Sequence, residues 1–414
     1  MSNFSPPSSN VTRNAWLIVA LLMPVALLNY LDRQMLATMK SSVMFEIKDI
    51  QTDANWGFML GQFKWVYAFF SLIGGYIADR FSRRYVICSS LFVWSTITWL
   101  TAHADTYEQL LWTRSLMGIS EAFYMPAALA LIADYHTGDT RSRAIGLHQM
   151  AIYCGQILGG FGGHIADAEY LGWRSAFTIC GVFGILYAFP LLALLRDAPT
   201  SSDEAAIAKS SPIRSVWALI SNVSFILLVL YFTLPAMAGW IVRDWMPAIL
   251  KDQFKISQGQ AGVAATLYWQ LAAIVGAILG GWLADRWMRQ SNRGRINVSA
   301  LGMCMIAPAI FGVGSAGTLG IAVAFLILFG LGWGFFDTNN MPILSQIVRP
   351  HLRATGYGIM NFASISCGGI ADWGFGRLRD EQVPLSTIFG VAAAVALVSI
   401  VLVLLIRPKS EPMS

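Results

Sequence analysis

The chain is short of charge. Only 12% of its 414 residues are Asp, Glu, Lys or Arg, while 56% are hydrophobic. A soluble domain carries roughly twice that share of charge, so a water-facing surface over most of the chain is excluded. Cysteine and histidine are scarce too, with five of each. Cys88, Cys154, Cys180, Cys304 and Cys367 all fall in apolar runs, none in a C-x-x-C pair, and no histidine stands at ligand spacing. That pattern argues against a disulfide framework and against a metal site. The run Gly159-Gly160-Phe161-Gly162-Gly163 lacks the Lys-Ser/Thr of a phosphate loop and any strand before it. It reads as close helix packing. The formal charge of +5 comes with no aromatic-interleaved basic patch, so nucleic acid is not an expected partner. No nucleophile–base pair can be placed. The chain does not read as an enzyme, and no cofactor is expected.

What the chain does have is long apolar runs. They fall at roughly 15–39, 57–78, 85–103, 108–133, 144–166 and 174–195, then at 216–242, 260–284, 296–315, 318–343, 354–376 and 386–406. Each is long enough, at about 1.5 Å per helical residue, to cross about 30 Å of hydrocarbon. The expectation is an all-α membrane protein with twelve transmembrane helices in two pseudo-symmetric six-helix bundles. The bundles would occupy 15–195 and 216–406, with tails at 1–14 and 407–414 and a linker at 196–215. Lys and Arg set the orientation. About seventeen lie in the loops on the side of the termini and about seven in the opposite loops, so both termini are expected in the cytoplasm.

The halves repeat one another. Gly74-Gly75-Tyr76-Ile77-Ala78-Asp79-Arg80 returns as Gly280-Gly281-Trp282-Leu283-Ala284-Asp285-Arg286, and Arg143-Ala144-Ile145-Gly146 as Arg353-Ala354-Thr355-Gly356. Two six-helix repeats of parallel orientation are a signature of secondary carriers. In the loop motif the glycines permit close helix approach. Asp79, Arg80, Arg84, Asp285 and Arg286 are candidates for a gating latch on the cytoplasmic face. The alternative is that the arginines only set topology.

Charge inside the membrane marks the candidate site. An unneeded charge at bilayer depth is disfavoured by about 2.5–3.5 kcal/mol on insertion scales. Asp32-Arg33 follows Asn29-Tyr30-Leu31 in the first run. Lys64 and Tyr67 share a face of the second, and Arg114 and Glu121 share a face of the fourth. The C-terminal half offers mostly neutral polar groups, namely Tyr231, Gln270, Asn339, Asn340, Asn361 and Ser364, with Asp337 the exception. Each charge has a plainer reading. Asp32 and Arg114 form a structural pair, or Lys64 snorkels to the outer interface. His148, deep in the fifth run, reads as a packing histidine or a proton relay.

The stretch Asn29-Tyr30-Leu31-Asp32-Arg33, with Arg114, Glu121-Ala122 and Pro126, resembles the anion:cation symporter branch of the major facilitator superfamily, whose bacterial members carry sugar acids such as galactonate and hexuronates. The loop Asp79 to Arg84 and the run Ala133-Asp134-Tyr135 with Arg141-Ser142-Arg143 equally resemble the Spinster family of lipid and lysolipid carriers. The first resemblance implies that Arg33 meets a substrate carboxylate, that Asp32 and Glu121 carry the coupling proton, and that Tyr30, Tyr67, Gln156 and Asn361 help to line the site. Lys64 fits neither pattern. With Arg114 it joins the candidate substrate-binding residues, because a cavity-facing Lys64 suits an anion. The implied activity is proton-coupled symport of a small organic anion across the inner cell membrane, by a monomer working through alternating access. The second resemblance implies a carrier of lysolipids or other amphiphiles.

Overall fold

The structure is a computed structural model, and it describes residues 9–136, 140–198, 212–349 and 352–408. Among the described residues there are sixteen helices and no strand. In the N-terminal half they are α1 (Ser9–Thr38), α2 (Lys40–Glu46), α3 (Asp53–Arg80), α4 (Arg83–Thr101), α5 (Tyr107–Glu121), α6 (Tyr124–Tyr135), α7 (Arg141–Gly160), α8 (Gly162–Asp167) and α9 (Gly172–Leu194). The C-terminal half contributes α10 (Pro212–Ile220), α11 (Val223–Phe254), α12 (Gln258–Met288), α13 (Gly294–Ser315), α14 (Leu319–Ile347), α15 (Arg353–Asp380) and α16 (Leu385–Leu405). α5 and α6 are one membrane run interrupted at Ala122 and Phe123. With α2, α8 and α10 set aside as short, the rest correspond to the twelve apolar runs of the sequence.

Eight of these runs are long and apolar enough to be recognised as membrane spans on length and composition alone. α3, α4, α7 and α15 are not among them. α3 carries Lys64 and α15 carries Asp372, and a charged residue lowers the hydropathy of the helix that holds it.

Helix starts follow local chemistry. Thr106 accepts from Gln109 N at 3.2 Å, and Asn222 accepts from Ser224 N at 3.0 Å. Ser257 and Gln260 form a reciprocal capping box at the head of α12. Each satisfies backbone donors that a helix N-terminus leaves without partners.

The chain separates into two compact units. One comprises Met1–Asp49 with Val66–Thr200, and the other Ile50–Trp65 with Ser201–Ser414. The boundary therefore cuts α3: its first half packs with the C-terminal helices. The sequence repeat reappears as a packing repeat inside each unit. A Cβ on Gly74 of α3 would sit 2.7 Å from the carbonyl oxygen of Ala122, and one on Gly280 of α12 would sit 2.9 Å from Cα of Phe335 in α14. Only glycine permits either approach.

One helix corrects the sequence reading. The seventh run was expected at 216–242, but α11 is a 32-residue helix that continues to Phe254. Hydropathy drops at Arg243-Asp244, yet the backbone stays helical and both residues are buried. α15 likewise continues past 376 to Asp380.

Candidate functional site

In the N-terminal unit α1 and α5 bring charge together. Glu121 is the last residue of α5, a 15-residue helix opening a 29-residue span, so it stands at mid-depth. A helix C-terminus carries partial negative charge and disfavours a carboxylate. Arg33 of α1 compensates: its Nε donates to Glu121 Oε2 at 2.6 Å, and Nη2 is ion-paired to the same oxygen. Glu121 Oε1 is buried without a hydrogen-bond partner. The Arg33 guanidinium also lies over two aromatic rings, 5.1 Å from the centroid of Tyr30 and 4.8 Å from that of Tyr67. Such cation–π contacts hold a guanidinium in place without neutralising it. The Arg33 side chain is 11% exposed and that of Glu121 is 0%, so the arginine is the more exposed member of the pair.

Asp32, the neighbouring residue on α1, is buried as well. Its Oδ2 accepts from Thr98 Oγ1 of α4 at 2.9 Å. Arg114 of α5 is buried, and its Nε and Nη2 have no hydrogen-bond partner. Asp32 and Glu121 act on it through space. Gln156 of α7 is buried in the same unit. The helix break at Ala122 is supported by Ser90 of α4, which donates to the Ser120 carbonyl oxygen. His148 shares a hydrogen bond of 2.8 Å with Tyr124 OH, a satisfied packing contact.

The C-terminal unit holds a buried charge cluster where mostly neutral polar groups were expected. In the structure Lys64, on the first half of α3, is bound by Asp244 of α11 at 2.5 Å and by Asp372 of α15. Arg243 lies 3.9 Å from Asp244, and the Trp240 ring stands 4.1 Å from the Lys64 ammonium. Lys64 is thus neither a snorkelling lysine nor an additional uncompensated cation: two carboxylates meet it. Asp372 lies inside the expected span 354–376, so its signal was present. Asp244 was hidden because the seventh run was ended too early. Of the neutral polar residues expected in this half, Tyr231, Gln270, Asn339 and Asn340 are buried and Asn361 is half-buried.

Of the expected gating residues, Arg84, Asp285 and Arg286 have local partners. Arg84 donates through Nε and Nη2 to the Leu192 carbonyl oxygen at the end of α9, and its backbone N–H donates to Asp197 at 2.9 Å. Arg83 is paired with Asp134. Asp285 lies 3.7 Å from Arg295, and Arg286 lies over the Trp282 ring at 5.7 Å. Arg80 is exposed. The side chain of Asp79 lies outside the described residues. Among the described residues no group of histidine, cysteine and carboxylate side chains is placed to hold a metal ion.

A bundle of apolar helices with its charges buried between them, built as two units with a repeated packing motif, is the construction of a membrane carrier. The sequence model of the Major Facilitator Superfamily matches residues 22–372, and the chain belongs to that family. Protein spinster of Drosophila melanogaster is 27% identical over 379 residues, which cover 87% of this chain and 61% of the fly protein. The chain therefore spans about three fifths of that relative's length. A major-facilitator-type efflux pump of Mycolicibacterium smegmatis is 27% identical over 89% of this chain and 85% of its own. Human protein spinster homolog 1 is 29% identical over 82% of this chain. Among solved structures, a bacterial homologue of the human lysosomal transporter Spinster, inward-facing and unoccupied, has a TM-score of 0.76 at 19% identity over 95% of each chain. A D-xylose–proton symporter has a TM-score of 0.77 at 15% identity, over 94% of this chain and 97% of that one. The two structures share the fold with this chain. It is a major facilitator transporter and not an enzyme.

Proposed function

We propose that the chain is a proton-coupled symporter of a small organic anion, working by alternating access. The observation that carries this reading is the Arg33–Glu121 pair, buried at mid-span with one carboxylate oxygen unpartnered. A proton on Glu121 removes the charge that occupies Arg33. The guanidinium, still held between Tyr30 and Tyr67, then presents its fork to an incoming carboxylate. The anion and the proton favour each other's binding, because each neutralises what the other leaves exposed. Asp32, held by Thr98, and Arg114 form the second carboxylate–guanidinium couple of the same site. After both ligands leave, Arg33 and Glu121 re-pair, and the empty carrier can return without an unpaired buried charge.

In this reading the solute is a sugar acid or a similar carboxylate. The carrier acts as a monomer in the inner cell membrane with both termini cytoplasmic, as the arginine bias suggests. A second reading is a Spinster-like carrier of lysolipids or other amphiphiles. The named relatives favour it, and so does Lys64: its charge is already met by Asp244 and Asp372, so it adds no third cation for a small acid.

Uptake into proteoliposomes, from a panel of labelled hexuronates, galactonate and lysophospholipids, distinguishes the readings. Accumulation of an acid only under an imposed pH gradient supports the first. Movement of the lysophospholipid alone supports the second. Movement of a neutral aldose at the rate of its acid sinks the anionic substrate.

A further inference from the structure

A cluster outside that site has no role in the scheme above. Lys64, Asp244, Arg243 and Asp372 are all buried. They are two cations and two carboxylates, so the cluster is neutral as it stands. The side chain of Asp372 is 0% exposed, and the Trp245 side chain stands beside it. Of the other elements packed against α11 and α15, α14 carries Asp337, which acts on Tyr231 toward the opposite end of α11, and α10 carries Arg214, which precedes α11. α16 contains no charged residue, and the only charges on α12, Asp285 and Arg286, lie at its opposite end.

The cluster sits along a tight contact between the first half of α3 and α15. A Cβ on Gly57 would lie 2.3 Å from the Asp372 carbonyl oxygen, and one on Gly61 would lie 2.7 Å from that of Gly369. Trp65 Nε1 donates to the Ser366 carbonyl oxygen at 3.0 Å. At the end of the contact the Asp380 carboxylate accepts from Asp53 N at 2.9 Å and Ala54 N at 2.8 Å, capping α3. The contact combines close backbone approach with these side-chain hydrogen bonds, and the ion-paired cluster lies within it.

Any cycle that parts α3 from α15 must take Lys64 with α3. Its long stem lets the ammonium reach water as a gap opens. What stays behind is Arg243, Asp244 and Asp372, with a net charge of −1. Arg243 stands by Asp244, which leaves Asp372 without a cation in a buried site, and an unpaired buried charge is strongly disfavoured. A proton from the opened side removes that penalty.

We propose that Asp372 is a second proton-binding carboxylate of the carrier, and that Lys64 is the cation replaced by that proton when α3 leaves α15. Closure expels the proton and restores the ion pair. The inference rests on proton-driven alternation but not on which solute is carried. It adds a proton on the C-terminal unit to the one assigned to Glu121.

The test uses the full chain in lipid nanodiscs with no solute, so the only probe is pH. Nitroxide labels on Gln51 and Glu381, both exposed, report the separation of α3 from α15 by electron–electron double resonance. Between about pH 8 and about pH 5 the short-distance population should fall by about threefold or more, a modest shift of a two-state balance. Asp372→Asn should give the long distance at both pH values. Glu121→Gln should keep the full response. Lys64→Arg, which preserves the charge and adds donors, should move the midpoint to lower pH. An unchanged pH response in Asp372→Asn, or an unmoved midpoint in Lys64→Arg, would overturn the proposal. A response lost in Glu121→Gln but intact in Asp372→Asn would overturn it too, while leaving the single-proton symporter reading standing.

Discussion

Arg33 sets two guanidinium nitrogens against one oxygen of Glu121, Nε at 2.6 Å and Nη2 beside it, and leaves Oε1 without a hydrogen-bond partner. This lopsided pair is where the coupling proton is expected to act. In Glu121→Gln the amide imitates the protonated acid permanently. Accumulation driven by a pH gradient should fall by at least about tenfold, whereas exchange of solute across the membrane should persist. The check is to measure both in the same proteoliposomes. Undiminished pH-driven accumulation by the Gln variant would remove Glu121 from the coupling step.

A second expectation concerns the shape of the cation. Arg33 works as a planar fork lying over Tyr30 and Tyr67, and lysine offers the charge without the plane. Losing one charge-assisted hydrogen bond costs about 1.5–3 kcal/mol. Arg33→Lys should therefore weaken binding of the cognate anion by about tenfold or more, as measured by scintillation proximity. Arg33→Ala should weaken it further. Affinity within twofold of the parent, about 0.4 kcal/mol, would count against Arg33 as the anchor.

The N-terminal site was legible in the sequence because its charges stand inside unmistakable apolar runs. Arg33 and Glu121 have no business at mid-span unless they meet, and they do meet. Thr98, which holds Asp32, gave no signal: a lone hydroxyl in an apolar helix can equally bond its own backbone, and Thr98 does that as well. The cluster around Lys64 was missed for a different reason. Hydropathy ended the seventh run at Val242, but in α11 helical hydrogen bonding carries Arg243 and Asp244 into the interior, where Lys64 of a distant segment compensates the aspartate. Composition records what a helix costs to bury; it is blind to a partner 180 residues away. The split of α3 between the two units was beyond reach for the same reason, since it depends on which neighbour each half of one continuous helix packs against.

Close packing of α3 on α15 gives a stability prediction. Alanine at Gly57 would bring its Cβ to 2.3 Å from a backbone oxygen of Asp372, where no side chain can yield. Overpacking of this kind costs about 1–3 kcal/mol. Gly57→Ala should lower the unfolding temperature in nanodiscs. Gly374→Ala is the matched control, because nothing lies within 4 Å of its added Cβ, and there alanine should be neutral or stabilising by up to about 1 kcal/mol through helix propensity. Equal melting of the two variants would show that the α3–α15 contact is looser than described.

The last prediction asks what Lys64 does for the folded chain. Asp244 and Asp372 both bind its ammonium, and the three side chains are almost fully withdrawn from solvent, at 5%, 10% and 0% exposure. Lys64→Met keeps the apolar stem and removes only the charge. Two carboxylates are then left, with Arg243 beside Asp244, and breaking a buried pair in this way costs about 3–5 kcal/mol. The single variant should be strongly destabilised in denaturant titrations of the purified carrier. Adding Asp372→Asn removes the surplus negative charge, so Lys64→Met/Asp372→Asn should recover most of the loss. The two changes should therefore be non-additive by more than the roughly 0.3–0.5 kcal/mol scatter of independent sites. A lysine that merely reached for the lipid headgroups would behave otherwise. Its replacement by methionine would be harmless, and the effect of Asp372→Asn would add to it without coupling. The double-mutant cycle measures that coupling directly, with no solute and no pH gradient required.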